Sequence, residues 1–171
     1  MPGVVTAAEP PLLVVEDSDE DYAALQWALG KVGVARPVRR LHTGAELLAY
    51  LRRTGPYAPG APLGGDAPAP ALILLDLNLG ADDGRDVLAE VKADATLRRI
   101  PVVVWTTSAH PGDVAQCYDS GASGYATKPV DVAQLVASLR DVTQYWFGRM
   151  VLPEVPAGAP ARLPSEAGGE S

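Results

Sequence analysis

The sequence predicts an α/β fold in three layers, a five-stranded parallel sheet with helices on both faces, and three observations carry that reading. Short apolar runs alternate five times with segments of helical periodicity, an order that calls for parallel strands joined by right-handed helical crossovers. Two of the runs, Leu72-Ile73-Leu74-Leu75 and Val102-Val103-Val104-Trp105, are apolar at every position, as strands buried on both faces must be. Four of the runs end in residues that carry chemistry. Open sheets of this kind gather their ligand groups at the carboxyl ends of the strands, beside the point where strand order reverses.

The chain of 171 residues is long enough for one domain with a substantial core and too short for two ordinary ones with tails. Its apolar set is 47% and its charged set 20%, the balance of a soluble globular protein. A net charge of -7, without clustered lysine and arginine, argues against general nucleic-acid binding. No apolar run approaches the roughly 20 residues that cross a bilayer. The N-terminus also lacks the basic-then-apolar pattern of a signal peptide, so a cytoplasmic protein without membrane contact is expected. Cys117 stands alone, which excludes an internal disulfide and leaves a small, semi-buried side chain.

Taken in order, residues 1–10 read as a loose leader and 11–152 as the folded domain. Leu12 to Val15 is the first strand, followed by five acids in the six residues from Glu16 to Asp21. Asp19, Glu20 and Asp21 suit the first turn of a helix capped by Ser18 or Asp19. Glu16 and Asp17 are left at the strand end, where a cation could use them. The helix runs to about Lys31 with Tyr22, Leu25, Gln26 and Leu29 on its apolar stripe and Trp27 off it. Val34 to Leu41, with Pro37 and its arginines, suits an edge strand. Thr43 and Glu46 form a capping box for a second helix ending near Arg53. The five prolines and four glycines between Gly55 and Pro70 read as a long surface loop.

The central strand delivers Asp76 and is followed by a turn from Gly80 to Gly84 and a helix with Val87, Leu88 and Val91 on its inner face. Ile100 to Trp105 is the next buried strand and delivers Thr106. A helix from about Pro111 to Ser120 follows, then a strand from Gly124 to Thr127 that ends at Lys128-Pro129. The last helix starts near Asp131 and carries Leu135, Val136, Leu139, Val142, Tyr145 and Trp146. Residues 153–171, rich in Pro, Gly and Ala, are expected to be disordered and leave no length for a DNA-recognition module.

Four strand ends therefore supply Glu16 with Asp17, Asp76 with Asn78, Thr106, and Lys128. Converging carboxylates repel one another unless a cation shares them, and an all-oxygen set favours a hard divalent ion, Mg2+ above others. A lysine and a hydroxyl facing a carboxylate are what a phosphoryl group on that carboxylate needs.

On these motifs the chain resembles response-regulator receiver domains over about residues 11–150. They are the acidic pair in Val15-Glu16-Asp17-Ser18, the strand Leu75-Asp76-Leu77-Asn78, the run Thr106-Thr107-Ser108, and Tyr125-Ala126-Thr127-Lys128-Pro129. The resemblance implies a flavodoxin-like sheet of strand order 2-1-3-4-5 and makes Asp76 the phospho-acceptor. It makes Asp17 a direct Mg2+ ligand, with Glu16 and the backbone carbonyl of Asn78 helping to hold the ion. It assigns Thr106 and Lys128 to the phosphoryl group, Tyr125 to a rotamer switch with Thr106, and a cis geometry to the Lys128-Pro129 bond. Gly80 stands where many relatives carry proline, so a more mobile loop and an altered phosphoryl lifetime are expected.

A narrower similarity, to regulators partnered with bacterial phytochrome histidine kinases, rests on the strand Leu74-Leu75-Asp76-Leu77-Asn78-Leu79 and four further features. They are the Gly/Pro-rich loop before the central strand, Asp83-Gly84-Arg85-Asp86-Val87-Leu88, Trp105-Thr106-Thr107-Ser108, and the aromatic segment Tyr145-Trp146-Phe147 with Val151-Leu152-Pro153. It implies a sensor histidine kinase of phytochrome type as phosphodonor. The apolar excess near Tyr145, Trp146 and Phe147 points to a homodimer built on the fourth and fifth helices and the fifth strand. Two other functions fit an aspartate at this strand end less well. A Mg2+-dependent phosphohydrolase usually carries a second acid two residues after its nucleophile, and Asn78 stands there. A non-phosphorylated pseudo-receiver adaptor would lack the acceptor, the acidic pair or the lysine, and all are present.

Overall fold

The computed structural model describes residues 9–64 and 67–155. The predicted leader up to residue 8, Gly65 and Asp66 of the loop, and the predicted tail from residue 156 lie outside the described residues. The elements run β1 (Leu12–Val15), α1 (Asp19–Val32), β2 (Val38–Leu41), α2 (Gly44–Arg52), β3 (Leu72–Leu75), α3 (Gly84–Ala93), β4 (Val102–Thr106), α4 (Pro111–Asp119), β5 (Gly124–Thr127) and α5 (Val132–Thr143). All five strands are parallel, in the order β2-β1-β3-β4-β5, as expected.

The unbroken apolar runs serve two cores at once, because successive side chains of a strand point to opposite faces. Leu13, Val15, Ile73, Leu75, Val102 and Val104 face the α2–α3–α4 side with Leu47, Leu88 and Val91. Leu12, Val14, Leu72, Leu74, Val103 and Trp105 face the α1–α5 side with Leu25, Leu29, Leu135 and Leu139. The register holds each set together, with Leu12 opposite Leu72 and Leu13 opposite Ile73.

Local signals set the helix ends. Ser18 caps α1 by accepting from the Asp21 amide at 3.2 Å, and Gly33, at φ +78°, closes it by donating to the Leu29 carbonyl. Ala28 takes the buried position on α1 expected for Gln26, which is exposed, and Cys117 is fully buried rather than semi-buried. The edge strand is shorter than Val34 to Leu41: the carbonyl of Pro37 accepts from Leu12, and pairing with β1 extends from Val38.

The segment after α2 is more than a surface loop. A single 3-10 turn, Gly55–Tyr57, buries Tyr57 edge-on against Tyr50 with ring centroids 5.1 Å apart. The Tyr57 hydroxyl donates to Glu46 at 2.8 Å, the Tyr50 hydroxyl donates to the Pro68 carbonyl at 2.9 Å, and Ala67 joins the core. One aromatic and one alanine carry no periodicity, so the sequence pattern hides this strap. Burial, and then the bond to Glu46, push the Tyr57 phenol up to about 12.

Between β3 and α3, Asn78–Leu79 pairs with Asp82–Asp83 in a two-residue hairpin. Gly80 turns it at φ +66°, with a glycine at the first loop position as type II′ turns use; proline, held near -65°, could not adopt this angle. The expected loose loop is thus a hydrogen-bonded turn. Gly84 then opens α3 directly against the Asp76–Leu77 segment: a Cβ there would meet the Asp76 carbonyl oxygen and lie 2.6 Å from Leu77 Cα.

No peptide bond among the described residues is cis, so the Lys128–Pro129 bond is trans, contrary to expectation. An X–Pro bond separates the two forms by only about 0.5–1 kcal/mol, too little for sequence to decide. α5 widens into a π-helical turn, Gln144–Arg149, with Met150 donating to the Tyr145 carbonyl at 3.1 Å. Trp146 and Phe147 are partly buried against the α1–α5 core, and Arg36 lies over the Phe147 ring at 4.7 Å. Val155 packs against the opposite core, so ordered packing extends past Leu152.

Two outcomes follow from these contacts. Gly84→Ala should lower stability by about 1–3 kcal/mol in urea denaturation, since backbone must move to admit the methyl; an unchanged midpoint would contradict the close approach. The neutral Tyr57 phenol is the form the fold favours, so its contribution is complete below pH 10 and is lost as pH rises toward about 12. In an ultraviolet titration, Tyr57→Phe should remove the phenol that ionises near this upper limit, and loss of an earlier step instead would contradict its burial.

Candidate functional site

The acids and the lysine predicted for the carboxyl edge meet in an open cleft of about 530 Å³. Lys128, just past β5, is the hub. Its ammonium donates to Glu16 Oε2 at 2.5 Å, Asp76 Oδ2 at 2.6 Å and Asp21 Oδ2 at 2.8 Å. The side chains of Glu16, Asp76 and Lys128 are 3%, 7% and 10% exposed, so these are charges taken largely out of water. Backbone amides fix the other carboxylate oxygens: Ser18 donates to Glu16 Oε1 at 3.0 Å, and Asn78 to Asp76 Oδ1 at 3.1 Å.

Burial pushes the Glu16 carboxyl up against the pull of Lys128. For Lys128 burial acts downward, but its bonds to Asp21, Asp76 and Glu16 outweigh it and hold the ammonium well above its ordinary range. One cation thus answers three carboxylates, and Asp17, exposed beside them, is a fourth acid. Oxygens of Glu16, Asp17 and Asp76 all lie within 4.8 Å of one another. An all-carboxylate trio with surplus negative charge fits a hard divalent ion.

Thr106 ends β4 and is fully buried; its carbonyl accepts from the Lys128 amide at 2.7 Å and its hydroxyl oxygen from the Ser108 amide at 3.4 Å. The cleft wall at that point is Thr107. Tyr125 is half-buried, and its hydroxyl donates to the Ser108 carbonyl at 2.9 Å. Tyr145, Trp146 and Phe147 stay apart from the cleft, beyond α5, with Tyr145 51% exposed.

Sequence reasoning missed several partners. Asp21 stands in the first turn of α1, as expected, and from there also reaches Lys128 across 107 residues of chain. Arg85 lines the cleft and bridges Asp83, at 3.0 Å, to Asp113 of α4. Asp113 in turn accepts from Ser108 Oγ at 2.6 Å. The bond from Ser108 and then the charge of Arg85 hold the Asp113 carboxyl below its usual range. For Asp83, burial acts upward and the Arg85 bonds prevail, so it too is lowered. The network joins the turn after Asp76 to the β4–α4 loop. Its only sequence signal was an arginine two residues after an aspartate.

A parallel sheet in this order, with an acid cluster and a lysine at its carboxyl edge, defines a receiver domain. The chain belongs to the response regulator receiver domain family, whose pattern matches residues 12–140. It is 36% identical over 148 residues to response regulator Rcp1 of Synechocystis sp., spanning 85% of this chain and 96% of that one. The phosphorylated cyanobacterial phytochrome response regulator RcpA superposes with a TM-score of 0.76 at 39% identity, covering 86% of this chain and all 100% of that one. RPA3017, a response regulator in red light signaling of R. palustris, superposes at 0.79 with 31% identity, covering 85% and 99%. The Mn2+-bound form of Rcp1 superposes at 0.75 with 36% identity, covering 85% and 100%. The protein is therefore a receiver-domain response regulator similar to those of phytochromes, a family of signalling proteins. No helix among the described residues is long and apolar enough to cross a membrane.

Because one lysine faces three acids, removing an acid should relieve the metal-free site. Asp76→Asn is expected to raise Tm in chelator by roughly 2–4 °C, the shift that about 1 kcal/mol gives a chain of this size. A lower Tm in scanning calorimetry would show that the Lys128–Asp76 bond outweighs the repulsion.

Proposed function

We propose that this receiver accepts a phosphoryl group on Asp76 from the phosphohistidine of a sensor histidine kinase, in a Mg2+-dependent reaction. The observation that carries the reading is the state of Asp76 itself. Its carboxylate is buried, gripped at one oxygen by Lys128 and at the other by the Asn78 amide, and still faces an open cleft. In the transfer, the donor's N–P bond breaks with its electron pair left on the imidazole, and an O–P bond forms at Asp76.

Lys128 passes from the Asp76 carboxylate to the oxygens of the phosphoryl group, and the Thr106 hydroxyl donates a further bond to them. Once Thr106 is so engaged, Tyr125 exchanges its bond to Ser108 for a new rotamer. Glu16, Asp17, Asp76 and the backbone carbonyl of Asn78 would hold Mg2+, which when bound screens the acids from the incoming negative charge. Asn78 offers no carboxyl as general acid, so sustained hydrolysis of external substrates is not expected.

The similarity to phytochrome response regulators supports a kinase of that type as donor, acting in the cytoplasm. Signalling then passes through protein contacts, including a homodimer on the α4–β5–α5 face. With Trp146 and Phe147 partly buried against their own subunit's core, the exposed apolar groups of this segment are Tyr145, Met150 and Val151, the last 98% exposed.

Incubation with a small-molecule phosphodonor and Mg2+ should add one phosphoryl mass to the wild type and none to Asp76→Asn. An unmodified wild type would remove the proposal. In sedimentation velocity, Tyr145→Ala with Val151→Asp should shift dimers to monomers; a dimer untouched by both changes would place the interface elsewhere.

A further inference from the structure

Arg40 reaches from the edge strand β2 to the β1–α1 loop without lining the cleft, and its side chain is only 14% exposed. Every nitrogen of its guanidinium is used on that loop or its helix. Nε donates to the Glu16 carbonyl at 3.0 Å, one terminal nitrogen to the Asp17 carbonyl at 3.2 Å, and the other to the Asp19 carboxylate at 2.7 Å. The guanidinium carbon lies 4.8 Å from the centroid of the Tyr22 ring, which backs it.

We infer that Arg40 is a positioning residue for the acidic pair, clamping the backbone from which the Glu16 and Asp17 carboxylates hang. The inference rests on the cation site proposed above. The two carbonyls it holds belong to the two residues of that pair, and the fixed plane of a guanidinium can address both while a third donor meets Asp19.

The clamp matters most for Asp17. Glu16 is already tied by Lys128 and the Ser18 amide, whereas the Asp17 carboxylate accepts no hydrogen bond among the described residues. Its position near Glu16 and Asp76 thus depends on its backbone. The loop and the first turn of α1 together carry five acids in six residues, and repulsion among them favours an outward swing. Arg40 holds the loop's backbone carbonyls, and Lys128 holds its Glu16 carboxylate.

Charge and geometry act in opposite directions here, which makes the inference testable. The positive charge of Arg40 alone opposes a nearby cation; its fork favours one by presetting the ligands. Arg40→Lys keeps the charge and loses the fork, whereas Arg40→Gln loses both. Partners of this kind around a metal site are typically worth about 10–100-fold in affinity.

Calorimetric titration of the full chain with Mg2+ should show Arg40→Lys weakened by about tenfold or more, and Arg40→Gln weakened less because the opposing charge is gone. In the metal-free protein, amide exchange at Asp17 and Ser18 should quicken in both variants, while the amides of β3 keep wild-type rates. Mg2+ affinity of Arg40→Lys within about twofold of wild type, whatever its Tm, would reduce Arg40 to a support of the fold and overturn the inference. A wild type that binds no Mg2+ would overturn the cation site itself, and this role with it, even if the exchange rates show the clamp.

Discussion

The ammonium of Lys128 closes the site by binding carboxylates from three different parts of the chain. Glu16 follows β1, Asp21 lies in the first turn of α1, and Asp76 follows β3, while Lys128 follows β5. Such a cluster is costly to assemble, because each charge loses hydration and the acids outnumber the base. The sheet holds its members together, since Glu16, Asp76 and Lys128 follow three strands of one parallel sheet. Burial pushes the Glu16 carboxyl up, in keeping with a side chain only 3% exposed. The resulting site is held together by one cation and short of positive charge, so a second cation and a phosphoryl group change its balance in opposite directions.

The scaffold that brings these groups together is built for close tolerances. Side chains of the inner strands divide by alternation between two cores, so each strand is locked on both faces. Gly84 lets the start of α3 rest on the backbone of Asp76 and Leu77, and Gly80 turns the hairpin between them. The Asp76 carboxylate is therefore backed by a helix end rather than a free loop. Arg85 extends that rigidity to the β4–α4 loop by joining Asp83 to Asp113.

The legible part of this molecule was the part written in unbroken apolar runs and their first polar residues. Leu72 to Leu75 and Val102 to Trp105 announce buried strands, and Glu16, Asp76 and Thr106 follow such runs directly, while Lys128 follows the short strand Gly124–Thr127. Ser18, Thr43 and Asp131 marked helix starts because their capping chemistry is local. What escaped depends on contacts distant in sequence. Nothing near Tyr57 shows that it meets Tyr50 and Glu46, and nothing near Arg40 shows that it crosses to another strand's loop. The inward turn of Trp146 and Phe147 depends on the helix widening after Thr143, which no apolar period encodes. Thr106 was placed correctly on its strand, but its burial behind Thr107 is set by the local path of the chain as it leaves the sheet.

The alternation of Leu72 to Leu75 between two cores makes strand length a form of counting. Inserting or deleting one residue would exchange the faces to which every later side chain points and carry the acid along the strand by about 3.3 Å. Lys128 would then address the wrong atom even if every residue type were kept. Substitution among leucine, isoleucine and valine in this run is chemically mild, whereas a change of length is not. Over evolutionary time the interval between the start of β3 and Asp76 should therefore be held more tightly than the identity of the residues that fill it.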